Sequence, residues 1–140
     1  MPTVADCRLL AADRLEEAEI LYKTGKFYGA YYIAGYCAEM ALKVAICTRL
    51  NVEMFDSNDV RDDISKPFKI HKLTTLLVFA GLRKQHQEDI NNGNIDLQKA
   101  WNRVSAWSEE RRYERFISEE KCRQFLDAIN VFYQWIQTHW

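Results

Sequence analysis

The sequence predicts an all-α fold, an up-down antiparallel bundle of four to five helices. Two observations carry this. Only five glycines and two prolines interrupt 140 residues, so there are few breakers to end regular structure. Apolar residues recur at three- and four-residue steps, whereas strict apolar/polar alternation over a strand's length is hard to find. Length and composition agree with one domain over residues 1–140: the chain is 48% hydrophobic and 28% charged, enough to bury a core of its own.

The first helix is expected to start near Thr3, whose hydroxyl can cap it, with Leu9, Ala12, Leu15, Ala18 and Leu21 on one face, and to stop before Gly25. The second runs from about Phe27 to Leu50 and is apolar nearly all round, which places it at the centre of the core. Ala30, Ala34, Ala38, Ala41 and Ala45 form a smooth stripe that lets a neighbouring backbone approach closely. A second stripe is different in chemistry: Tyr28, Tyr32, Tyr36, Glu39 and Lys43.

Asn51 to Lys66 is rich in acids and poor in aliphatics and reads as a connector. A third helix is signalled by Leu73, Leu76, Leu77 and Ala80, with Ser65 or Pro67 near its start and a break near Gly81 or Gly93. After the Asn91–Asn94 turn, a fourth helix carries Leu97, Ala100, Trp101, Val104 and Trp107 on one face. The last helix is capped by Ser118, has Glu119 and Glu120 at its positive end, and shows the stripe Cys122, Phe125, Leu126, Ile129, Phe132, Tyr133 and Ile136.

Several function classes are disfavoured. A net charge of -1 provides no long-range field for a polyanion. No run approaches the roughly 18 uncharged apolar residues of a membrane helix, and the N-terminus lacks a signal peptide's apolar core, so a cytoplasmic location is expected. The four cysteines, Cys7, Cys37, Cys47 and Cys122, form no C-x-x-C pair and read as reduced buried thiols. His71, His86 and His139 have no metal-ligand spacing, so neither a metal nor another cofactor is expected. Phosphate-binding loops and hydrolase or metalloprotease motifs are absent, and the cysteines inside the second helix are poor nucleophiles.

Two stretches remain as candidate sites. Glu39 and Lys43 stand one helical turn apart in an otherwise uncharged segment, so at least one charge must be partly dry, where an unpaired charge costs several kcal/mol. Three readings stay open: a self-satisfied network completed by Tyr36 and a basic group from another helix, a groove in which Lys43 holds a phosphate and a tyrosine stacks on a base, or a dimer face. The second stretch is WSEERRYERF, Trp107 to Phe116, where Arg111, Arg112 and Arg115 alternate with glutamates. It reads either as a solvated helix end or as a source of one arginine that meets Glu39 or a phosphate, with Tyr113 beside it.

Taken in order, GKFYGAYYIAGYCAEMALKVAI, then HKLTTLL from His71, then Arg112-Tyr113 before a final amphipathic helix, the chain resembles the HEPN domain family from about Leu9 to Ile136. The resemblance implies an all-α bundle, frequently a homodimer, in a family linked to nucleotide or RNA binding and often encoded beside a minimal nucleotidyltransferase as toxin and antitoxin. It points to Lys43 and Arg112 as phosphate contacts, Tyr36 and Tyr113 as shaping residues, Glu39 as the residue orienting the bases, and His71 as a further ligand contact. The family's ribonuclease branch carries R-x(4-6)-H; no arginine stands at that distance before any histidine here. The expectation is therefore a non-catalytic binding domain, with a divergent metal-independent ribonuclease or a purely structural dimeric scaffold as alternatives.

Overall fold

The computed structural model describes residues 3–53, 70–110 and 115–140. Among them are six helices and no strand: α1 (Val4–Lys23), α2 (Phe27–Leu50), α3 (Leu73–Phe79), α4 (Arg83–Asn91), α5 (Ile95–Val104) and α6 (Glu119–Gln137). The expected helix starts near Ser65 or Pro67, most of the connector, and Arg111, Arg112 and Tyr113 lie outside the described residues.

Local chemistry sets the ends of these helices. Thr3 and Asp6 form a reciprocal cap on α1, each side chain accepting from the other's backbone N–H at 3.1 and 2.9 Å. Gly25, at φ 81°, makes the left-handed turn into α2. The αL residue after α2 is Asn51, a residue type that tolerates this cap conformation. Gly81 and Gly93, at φ 69° and 101°, divide the third helical region into α3 and α4 and separate α4 from α5. Breaks were expected at one or the other of these glycines and occur at both. Ser118 caps α6 by accepting from Lys121 N–H at 3.2 Å.

α2 is the central helix, with an unbroken buried run from Ala41 to Cys47. α1 packs antiparallel against it, with Leu21 beside Gly29, and the Val4 N–H donates to the Glu53 carbonyl at 2.9 Å where the start of one helix meets the end of the other. α6 runs alongside α2 in the same direction: the Cys122 thiol donates to the Phe27 carbonyl at 3.2 Å, and one turn on Tyr31 and Phe125 meet at 4.3 Å. α1 and α6 run oppositely, joined at one end by the bidentate Arg123–Glu19 pair at 2.6 and 2.8 Å. The whole expected stripe of α6, from Cys122 to Ile136, is buried.

Two expected faces are corrected. α1 buries Cys7, Ala11 and Ala18, while Ala12 is exposed and Leu9 is 65% exposed. Ala18 keeps its expected place and Leu15 and Leu21 pack partly buried against the core, whereas the bulky Leu9 falls outside the contact. Trp107 is buried as expected, yet it lies beyond the end of α5 and packs onto α2. All four cysteines are free and buried, and no helix among the described residues is long and apolar enough to cross a membrane.

Candidate functional site

The two charges of α2 point inward. Glu39 is 1% exposed and Lys43 4%, and the Lys43 ammonium donates to Glu39 Oε2 at 3.3 Å. The i,i+4 spacing makes this pair local, in the acid-before-base order that suits a helix. Burial then makes it consequential, since taking either partner away leaves an uncompensated charge in a dry site.

The other oxygen of Glu39 is taken by a residue remote in sequence. His71, in the segment leading into α3, contacts Glu39 Oε1 through Nδ1 at 2.9 Å. Its Nε2 faces Glu109 Oε2 at 3.5 Å, a looser contact than a hydrogen bond. The His71 and Glu109 side chains are 39% and 35% exposed, so a chain of ionisable groups runs from the core to the surface: Lys43, Glu39, His71, Glu109.

Aromatic side chains wall this chain. The Tyr32 and Tyr36 hydroxyls are 2.9 Å apart, and both rings adjoin Trp107. Burial foremost, then the Tyr32 hydroxyl and the carboxylates of Glu39 and Glu109, push the Tyr36 phenol well above its usual range and keep it protonated. Trp107 is seated directly on Gly35: a Cβ there would fall 1.9 Å from Cε2 of the indole. The indole N–H has no hydrogen-bond partner among the described residues.

At the surface the chain of ionisable groups opens into a cleft of about 470 Å³, lined by Ile70, His71, Lys72, Trp107, Ser108 and Glu109. The polypeptide leaves this cleft at Glu110 and continues directly into Arg111, Arg112 and Tyr113. Of the residues singled out from sequence, Tyr36, Glu39, Lys43 and His71 come together, while Arg112 and Tyr113 fall outside the described residues. Lys43 is the innermost member, and a phosphate would have to displace Glu39 to reach it. Among the described residues the basic group that reaches Glu39 from another segment is His71; the alternative of an arginine from the Trp107–Phe116 stretch meeting Glu39 falls on Arg111 and Arg112, outside the described residues.

Sequence reasoning left out Gly35, Trp107 and Glu109 as site-builders. Gly35 did carry a signal, because a glycine inside a long helix costs about 1 kcal/mol relative to alanine and asks for a packing reason. Glu109 stood in a charge-balanced run and had none.

Chemically, Glu39 orients the imidazole and fixes a proton on Nδ1, which directs Nε2 toward the cleft mouth. Glu109 is 35% exposed and meets that nitrogen only at 3.5 Å, so the contact it offers is a loose one that an occupant could replace. Among the described residues no group of three or more His, Cys, Asp or Glu side chains is arranged to hold a metal ion. Compared with known proteins, the chain matches no family model, no curated protein and no solved structure.

Proposed function

We propose that the chain is a non-catalytic HEPN-type domain that binds a nucleotide, a nucleic acid or a nucleotidyltransferase partner, working as a homodimer in a toxin–antitoxin or defence-type pair. The observation that supports this most is the 2.9 Å contact between Glu39 and His71. Two of the stretches on which the resemblance rests, the A-E-x-A-L-K helix and the H-K-L segment, thereby meet in one charged network at a surface cleft. Lys72 lines that cleft, and Arg112 and Tyr113 follow it in sequence; these supply a phosphate contact and a stacking ring. Glu109 beside His71 opposes a long polyanion and favours a short or single-nucleotide contact.

The test is a calorimetric titration of the protein with AMP, ATP and a short single-stranded RNA, repeated with Arg112→Ala, Tyr113→Ala and His71→Gln. Saturable binding weakened by at least one substitution is expected; no saturation, or equal affinity in all three variants, overturns the reading.

The same dyad favours one second reading, a divergent metal-independent ribonuclease. A histidine held by a buried carboxylate can take a proton through its other nitrogen, and a neighbouring arginine would stabilise the phosphorane charge. RNA cleavage that vanishes in His71→Ala would establish it. Intact RNA after prolonged incubation removes it.

A further inference from the structure

A second cavity, which shares no lining residue with the His71 cleft, lies between α3, α4 and α5, with a volume of about 600 Å³. That is within the usual size of small-molecule sites. Its floor is apolar, from Leu77, Ile90 and Trp101, and its rim carries Arg83, Gln98 and Asn102. No carboxylate is among its lining residues, and Arg83 makes no ion pair among the described residues. The cavity is therefore a positively charged, apolar-floored pocket in a chain whose net charge is -1. The cleft at His71 differs in having two glutamates on its wall beside His71 and Lys72.

His86 completes the apolar wall beside Trp101. It lines this cavity, is 4% exposed, and its Nε2 has no hydrogen-bond partner among the described residues. The ring is held edge-on by Trp101 and Trp135, at 5.1 and 5.2 Å. Desolvation lowers its pKa below the usual 6.5, which keeps it neutral. Asp89, the acid one turn away, is already engaged by the Trp135 indole at 2.7 Å and by Gln85 at 2.8 Å, so it does not satisfy the imidazole. The unpaired Nε2 has no surface open to the cavity, so His86 offers an occupant the side of its ring and not a hydrogen bond.

We propose that this cavity is a binding site for a small organic anion with a flat apolar body, its carboxylate or phosphate held by Arg83 and its body seated on Trp101 beside His86. A guanidinium binds either anion bidentately, and the aromatic floor accepts a planar body. Nothing in this site depends on the His71 cleft.

The probes are phenylacetate, phenyl phosphate, uncharged phenylacetamide and inorganic phosphate, titrated into the full chain and followed by amide and indole NMR shifts. Either aromatic anion should saturate, shifting Trp101 and residues of α3 to α5, at least about tenfold more tightly than phenylacetamide or inorganic phosphate. Arg83→Gln, an exposed substitution that leaves the core untouched, should erase the preference over phenylacetamide. His86→Gln should weaken both anions in a chain whose amide spectrum stays folded; should that variant not fold, Arg83→Gln alone decides. Failure of both aromatic anions to saturate, equal binding of phenylacetamide or of inorganic phosphate, shifts centred on His71, or an unaltered preference in Arg83→Gln would overturn the assignment.

Discussion

Replacing Gly35 by alanine tests the architecture of the cleft. By helix propensity alone the change should stabilise α2 by about 1 kcal/mol. The added Cβ, however, would stand 1.9 Å from Trp107 Cε2 and 2.2 Å from Cδ2 and Nε1, where ordinary contact begins near 3.4 Å, so the indole must retreat by about 1.5 Å. Trp107 is 3% exposed and packed against Tyr36, so its only way out is toward the cleft it lines, at the cost of its contacts with α2. Overpacking of this kind costs about 1–3 kcal/mol, and complete expulsion of a ring burying about 150–250 Å² costs about 4–6 kcal/mol at roughly 25 cal/mol per Å². Less the propensity gain, overpacking leaves a net loss of up to about 2 kcal/mol and expulsion one of about 3–5 kcal/mol; a loss of about 2 kcal/mol, where the two ranges approach, lowers Tm by roughly 6–10 °C in a chain of this size. Thermal unfolding followed by circular dichroism measures it, and tryptophan emission should shift to the red. The double mutant makes the argument sharp: Trp107→Ala alone should cost about 3–5 kcal/mol, and in that background Gly35→Ala should turn stabilising by up to about 1 kcal/mol. A Gly35→Ala chain as stable as the parent, or one destabilised equally in both backgrounds, refutes the seating of Trp107 on Gly35.

Three further outcomes are expected. Glu39→Gln should cost about 3–5 kcal/mol in urea unfolding, because it strands a buried Lys43, whereas Glu39→Leu combined with Lys43→Met should recover most of that loss; a Glu39→Gln cost under about 1 kcal/mol would contradict the dry pair. His86, whose pKa the fold lowers by desolvation against a smaller opposing effect of Asp89, contributes stability that is present above pH 6.5 and lost as pH falls below it, since the unfolded chain takes up the proton first. Urea midpoints at pH 7.5 and below 6 should differ more in the parent than in His86→Gln. On the alkaline side, burial raises the Cys7 thiol from 9.0 to about 11, so its contribution is intact below pH 9 and is lost as pH rises from 9 toward 11; Cys7→Ala should show a shallower loss over that range.

The fold was legible because its information is short-range. Caps such as Thr3 with Asp6 and Ser118 before Lys121, breakers such as Gly25, Gly81 and Gly93, and the apolar periodicity of α6 all act within a turn or two of chain. On α1 the expected face held at Ala18, with Leu15 and Leu21 partly buried against the core, and failed at Leu9 and Ala12; Cys7 and Ala11 are buried instead, a choice that periodicity alone does not make. Half of the candidate site was legible for the same reason as the caps: Glu39 and Lys43 are neighbours by helix geometry.

What the sequence by itself determined was that α2 is a central helix carrying two charges too dry to stand alone, because composition and the 3.6-residue repeat are local properties of the chain. Only tertiary structure decided which groups complete the site. The docking of the segment before α3 brings His71 to Glu39, and the chain beyond α5 folds back to lay Trp107 on Gly35 and Glu109 beside His71. No spacing rule links those residues; they meet because burying an indole and satisfying a carboxylate lower the free energy of one particular packing of remote segments.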